Sequence, residues 1–178
     1  MIYEPREDSF LLEKEVKKAA KRKIVLDMGS GSGIQAKAAI SAKAKSVLAS
    51  DINKEAVESL KKQGIDAIQS NLFSNIKGKF DVIVFNPPYL PKDRREDSDS
   101  SLATTGGKRG DEIILRFLKS SKDHLNENGI ILIIMSSLTP EKKILALLKK
   151  QKLNREVISS QKLFFETLEV WKLQVSKK

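Results

Sequence analysis

Three short segments of the chain carry residue types and spacings that could do chemistry. The first is Val84-Phe85-Asn86-Pro87-Pro88-Tyr89, which closes the apolar run FDVIV. Neither proline has an N–H to donate to a sheet, so a strand stops here on an asparagine, two rigid residues and a tyrosine. That ending is either a stiff turn or a site. The second is Asp27-Met28-Gly29-Ser30-Gly31-Ser32-Gly33, whose glycines fall at every second position and not in the G-x-G-x-x-G dinucleotide pattern. Such a turn lets backbone approach a ligand closely. No G-K-[ST] phosphate cradle follows, and an acid opens the turn. Asp27 would repel a phosphate and attract a cation, so an amine-bearing nucleoside suits this turn better than a nucleotide. Asp51, 24 positions after Asp27, has two oxygens that can accept the hydroxyls of a ribose diol. The third segment is Asn71-Leu72-Phe73. Asn71 can accept from an exocyclic amine and donate to a ring nitrogen, with Leu72 and Phe73 sandwiching a base; equally, it is a turn asparagine beside two core apolars.

The elements that must hold these segments alternate. Helical spacing covers Asp8–Lys21, with Phe10, Leu11, Val16 and Ala20 as an apolar stripe. Strands are expected at 23–28, 46–50, 66–69, 80–85 and 130–135, and helices at 34–45, 53–63, 110–126 and 140–151. Asn53 serves as a cap, Gly64 as a stop and Pro140 as a first-turn residue. Strands at 157–161 and 168–175 have no helix between them and read as an antiparallel pair. This alternation predicts an α/β fold, a mostly parallel sheet with helices on both faces. Ligands of such sheets bind beyond the carboxyl ends of the strands, where all three segments fall.

The composition narrows the class. A length of 178 residues suits one domain, and 40% hydrophobic with 31% charged residues describes a folded chain. The apolar runs are far too short to cross a bilayer, and MIYEPREDSFLL lacks the layout of a signal peptide, so a cytoplasmic protein with no membrane partner is expected. With no cysteine and a single histidine, His124, no metal site is expected. The net charge of +10 admits an acidic or nucleic-acid partner, or a solvated, lysine-rich surface of thermophilic type. The lysines are scattered along helices and not gathered with aromatics, which favours the surface reading. The long charged and then Ser/Thr/Gly-rich stretch 92–110 reads as a substrate or lid loop.

Together DMGSGSG, SDIN and NPPY resemble the class I S-adenosylmethionine-dependent methyltransferases, and NPPY narrows the likeness to enzymes acting on a planar amide or aromatic amine. YEPREDSFLL and ATTGGKRGDEIILRF resemble the archaeal and eukaryotic branch of HemK-type release-factor glutamine methyltransferases. The likeness spans nearly the whole chain. It implies a single Rossmann-like domain over 1–178, a seven-stranded sheet with an antiparallel last strand, and an N-terminal cofactor-covering segment over 1–22. It implies S-adenosyl-L-methionine as cofactor, bound by Tyr3, Pro5, Ser9, Asp27, Gly29, Gly31, Asp51, Asn71, Leu72 and Asn86. Asn71 stands where the family usually has Asp, which removes a charge and keeps an acceptor. The catalytic positions are Asn86, Pro87, Pro88 and Tyr89.

An asparagine is no base, so its part is positional. Its oxygen accepts one N–H of the acceptor, a backbone carbonyl fixed by the prolines accepts the other, and Tyr89 packs on the amide plane. Such a grip holds a glutamine amide or an adenine N6 alike. The implied substrate is the glutamine of the Gly-Gly-Gln loop of a class I release factor. The alternatives are an N6-adenine methyltransferase of DNA or RNA, which would need a target-recognition arm, and a nucleoside-binding module, which would have no use for an intact NPPY. The resemblance further implies a heterodimer with a small zinc-binding activator along a sheet edge, with the region Ile65–Phe73 as the candidate edge.

Overall fold

The computed structural model of the chain describes residues 4–88 and 110–176. Tyr3, Tyr89 and all of the 92–110 stretch except Gly110 lie outside the described residues. The elements run α1 (Glu7–Ala19), β1 (Ile24–Met28), α2 (Ile34–Ser41), β2 (Ser46–Asp51), α3 (Lys54–Lys62), β3 (Ala67–Gln69) and β4 (Phe80–Phe85). After the undescribed stretch come α4 (Glu112–Ser121), a 3-10 turn (Lys122–His124), β5 (Leu125–Ser136), α5 (Lys142–Gln151), β6 (Leu153–Lys162) and β7 (Thr167–Val175).

The seven strands form one sheet in the order β3-β2-β1-β4-β5-β7-β6. The first five are parallel, and β7 runs antiparallel to both β5 and β6. The period of two along each strand sorts side chains between two layers. Val25, Val82, Val84, Leu132, Ile134 and Val170 point to the α1 and α2 layer, where Leu11, Leu12 and Val16 meet them. Their neighbours Leu26, Ile83, Phe85, Ile131, Ile133 and Trp171 point to the α4 and α5 layer, against Ile114, Phe117, Leu118 and Ile144. Each fully buried side chain of this size contributes about 2 kcal/mol of burial free energy. The central strands read as unbroken apolar runs because both their faces are covered.

The differences from the sequence reading have local causes. The helix expected to reach 126 ends at Ser121, and β5 begins at Leu125, five residues ahead of the expected start. Leu125 pairs with Phe80, while the next pair is Val82 with Ile130, so Asn126–Gly129 bulge from the ladder. Asn126 Nδ2 holds the bulge by donating to Asp81 Oδ1 at 2.9 Å, and Asn128 takes a φ of +59°. Asp81 Oδ2 meanwhile accepts from the N–H of Ile24 at 2.8 Å, fixing the start of β1. Burial alone would raise the Asp81 carboxyl, but the Ile24 N–H, Asn126 and the nearby Lys23 and Lys45 outweigh it and hold it below the ordinary value. Helix α2 stops at Ser41, short of 45, with Lys43 at a φ of +61°. β3 is an edge strand, as Ile65–Phe73 was expected to be, and β6 is the other. Among the described residues no helix is long and apolar enough to cross a membrane.

Candidate active site

The carboxyl ends of β1, β2, β3 and β4 open onto one cavity of about 790 Å³. Ser9, Asp27, Gly29, Gly31, Asp51, Asn71, Leu72, Asn86, Pro87 and Pro88 all line it. Pro5 does not: it lies in a separate shallow depression lined by α1 and α2, with Glu13 and Lys17 on one side and Ile34 and Lys37 on the other. Phe73 also departs from the expected sandwich. It turns into the core, its ring centroid 5.3 Å from Phe117 and 4.6 Å from His124 in stacked pairs, so only Leu72 of the two apolars reaches the cavity. His124 is half-buried and bonds the carbonyl of Gly78 through Nδ1, and no cluster of potential metal ligands exists among the described residues.

The glycine turn is built around two backbone demands. Gly33, at a φ of +79°, is the residue from which α2 starts, and a Cβ there would run into Leu60 Cδ2 of α3. The turn thereby brings α2 and α3 together and leaves Asp27 beneath it. Asp27 is 1% exposed, and its Oδ2 accepts from the N–H of Ala36 at 3.0 Å. Burial pushes its carboxyl from 3.8 to about 7, against the hydrogen bonds of Ala36 and Ser30, with Asp51 adding to the rise. A buried acid held near neutrality in a cavity is poised for a cationic ligand, whose charge would restore its ionised form.

Asp51 is half-buried and oriented from both sides. Its Oδ2 accepts from the N–H of Gly31 and its Oδ1 from the N–H of Asn53, both at 2.8 Å. Each oxygen keeps a lone pair for a hydroxyl donor. Asn71 is exposed and its Oδ1 accepts from Arg116 at 3.1 Å, while Leu72 takes a φ of +52°. These contacts set the edge where a base could lie.

Asn86 is the best-oriented residue of the site. Its Nδ2 donates to Asp8 Oδ2 at 3.0 Å and to Ser9 Oγ at 3.4 Å. Its Oδ1 is buried and has no hydrogen-bond partner among the described residues. An orphaned buried acceptor costs on the order of 1–3 kcal/mol. An N–H donor arriving in the cavity would recover that cost. Ser9 in turn donates to Asp8 Oδ1 at 3.3 Å, and its carbonyl accepts from Gln35 Nε2 at 2.9 Å, tying α1 to α2. Asp8 and Gln35 are site residues that the sequence reading missed. An acid in the first turn of a helix reads as a partner of the helix dipole, and Gln35 reads as a helix surface residue. Leu163, Glu166 and Leu168 were missed too: they complete the wall from the β6–β7 hairpin, where Glu166 accepts from the hydroxyl of Ser136.

A family model described as the methyltransferase small domain matches residues 7–165. A Methanocaldococcus jannaschii protein, provisionally named a protein N5-glutamine methyltransferase, is 40% identical over 97% of this chain and 92% of its own length. Human methyltransferase HEMK2 is 28% identical over 98% of this chain and 90% of its own length. Among solved structures, the E. cuniculi Mtq2–Trm112 complex, described as responsible for methylation of the eRF1 translation termination factor, is similar at a TM-score of 0.79. That likeness is at 28% identity and covers 98% of this chain and 99% of that one.

Proposed function

This chain belongs to the methyltransferase small domain family, and from that premise we propose that it transfers a methyl group from S-adenosyl-L-methionine to the glutamine amide of a class I release factor's Gly-Gly-Gln loop. The observation that carries the reading is the buried Oδ1 of Asn86, without a hydrogen-bond partner among the described residues and fixed in orientation by Asp8 and Ser9 at the end of β4. An amide NH2 needs such an acceptor. When bound, the cofactor supplies an electrophilic methyl group on a sulfonium. Asp27 pairs with the ammonium of its methionine end, Asp51 accepts from its ribose hydroxyls, and Asn71 with Leu72 meets the base. Gly29, Gly31 and Ser9 form the backbone and hydroxyl walls between them.

At the acceptor end, Asn86 Oδ1 takes one amide N–H and the Pro87 carbonyl takes the other, with Tyr89 covering the amide plane. Both bonds strengthen as positive charge develops on the nitrogen, so they favour the transition state over the ground state. The nitrogen lone pair would form the new N–C bond as the methyl–sulfur bond breaks and its electron pair returns to sulfur, and the nitrogen would then lose a proton to water. A small zinc-binding activator covering the β3 edge completes the assembly, and the cytoplasm is its place of work.

The test is transfer of labelled methyl to an archaeal-type release factor, native against a Gln→Ala variant of its Gly-Gly-Gln loop. Label on the native factor alone is the expected result. Label that persists on the Ala variant, or that goes instead to adenine in RNA or DNA, overturns the assignment.

A further inference from the structure

The hairpin joining β6 to β7 carries Leu163-Phe164-Phe165-Glu166. Phe164 is 93% exposed and Phe165 is 84% exposed, and their rings pack edge to face at 4.6 Å. Aromatic rings bury large apolar areas on contact, so an exposed, contiguous pair at a site's rim marks a contact surface. The pair does not sit on a loose loop. Leu163 N–H donates to the Glu166 carbonyl at 2.8 Å, the hydroxyl of Ser136 donates to Glu166 Oε2, and Ser137 N–H donates to the Thr167 carbonyl at 2.9 Å. Thr167 N–H answers with a 2.9 Å bond to Ser137 Oγ. Leu138, two residues beyond Ser136, is itself 47% exposed.

The sheet order says which side of the reaction this surface serves. Asp51 ends β2 and Asp27 lies on β1, on one side of β4, where Asn86 stands. On the other side of β4 come β5, β7 and β6. Leu163, Glu166 and Leu168 line the cavity from there, and the two phenylalanines project from the same turn. This hairpin therefore borders the cavity on the side of Asn86 away from Asp27 and Asp51, while β3, the proposed activator edge, is at the opposite end of the sheet.

We propose that Phe164 and Phe165 are the anchor that docks the protein substrate, burying themselves in an apolar depression beside the loop that carries the methylated amide; this rests on the proposed reading of the site as a protein amide methyltransferase. Stacked nucleobases are the less suitable occupant. The rings meet at an interplanar angle of 85°, which offers no pair of parallel platforms, and Glu166 beside them repels phosphate.

The experiment compares the native chain with the Phe164→Ser/Phe165→Ser double variant on two substrates, a whole archaeal-type release factor and a short synthetic peptide containing Gly-Gly-Gln. The expected result is a KM for the whole factor raised about tenfold or more, with kcat, cofactor affinity and peptide kinetics unchanged. A Phe164→Leu/Phe165→Leu variant should restore most of the KM. An unchanged KM for the factor overturns the proposal, as does an equal loss on the peptide. Loss of single-stranded RNA binding without loss of factor binding, or conversion of a native dimer to a monomer at unchanged KM, also overturns it. A native chain co-expressed with the small activator, binding cofactor but methylating neither substrate, overturns the amide reading itself, an outcome separate from the others.

Discussion

At the scale of single residues, the site divides into groups that hold charge and one that holds geometry. Asn86 holds geometry, because Asp8 and Ser9 occupy its amide nitrogen and leave the buried oxygen as an acceptor. Asn86→Ala should lower kcat by a factor on the order of 100 to 1,000, comparable to loss of one transition-state hydrogen bond, with cofactor affinity within about twofold of native. Single-turnover transfer and equilibrium cofactor binding separate the two effects. Asp27 holds charge. With its carboxyl pushed up to about 7 by burial, it must lose its proton to meet an ammonium group. Cofactor affinity should be flat above pH 7 and fall toward tenfold per pH unit below it, and Asp27→Asn should bind weakly with no such slope. The sign for folding is the reverse. Between 3.8 and about 7 the folded chain keeps a proton that the unfolded chain has lost. That contribution to stability is whole at low pH and is gone by about pH 7. Denaturation of the cofactor-free chain across this range checks it, with Asp27→Asn as the flat control. The sequence pointed to Asn86, Asp27 and Asp51 because each ends or nearly ends a strand. It did not reveal Asp8, whose partner is 78 positions away and whose part is visible only once α1 lies over β4.

At the scale of elements, the glycine turn shows how closely the cavity depends on helix packing. Gly33 combines a left-handed φ with a contact that leaves no room for a Cβ against Leu60. Gly33→Ala should therefore cost about 2–4 kcal/mol, from backbone strain together with forced repacking of the buried Leu60 side chain. Urea unfolding with an unchanged slope would register it as stability, and cofactor affinity should fall with it, since Asp51 is aligned by the same turn. Most elements were legible from periodicity because both faces of the sheet are covered, and apolar runs such as VIVF and IILIIM have no other stable place. The start of β5 was not legible. Leu125-Asn126-Glu127-Asn128 carries too little apolar pattern to look like a strand, and what makes it one is its pairing with Phe80 and the Asn126–Asp81 bond, both long-range. Phe73 misled for a similar reason: an aromatic beside a site and an aromatic in a core look the same until Phe117 and His124 are seen on its face.

At the scale of the whole molecule, the sheet order gives the protein two working ends. The β3 end carries a three-residue edge strand with Ile52, 47% exposed, beside it, and the β6–β7 end carries the aromatic hairpin. A short, partly apolar edge is a place where another chain can add cover. On the proposed reading, the chain expressed alone should aggregate or bind cofactor poorly, and co-expression with the small activator should restore both. Equal solubility and affinity with and without the partner would argue against that. The topology itself was expected down to the antiparallel close, since no helix fits between β6 and β7. The partner surfaces were less legible, because Phe164 and Phe165 fall between the strands expected at 157–161 and 168–175, and their exposure is seen only in the fold.

The tie between α1 and the end of β4 has one more consequence, for the order in which the molecule is made. Asp8 and Ser9 leave the ribosome well before Leu132, Ile134, Leu168 and Val170, the residues on which Leu11, Leu12 and Val16 of α1 rest. Domains tend to fold as their segments become available. A nascent chain halted before Thr167 would already hold both carboxylates of the glycine turn and its neighbour strand, but α1 would have only part of its bed and Asn86 no settled partner. The acceptor half of the site is completed only when β7 is in place, so synthesis makes the cofactor half first and the reactive half last.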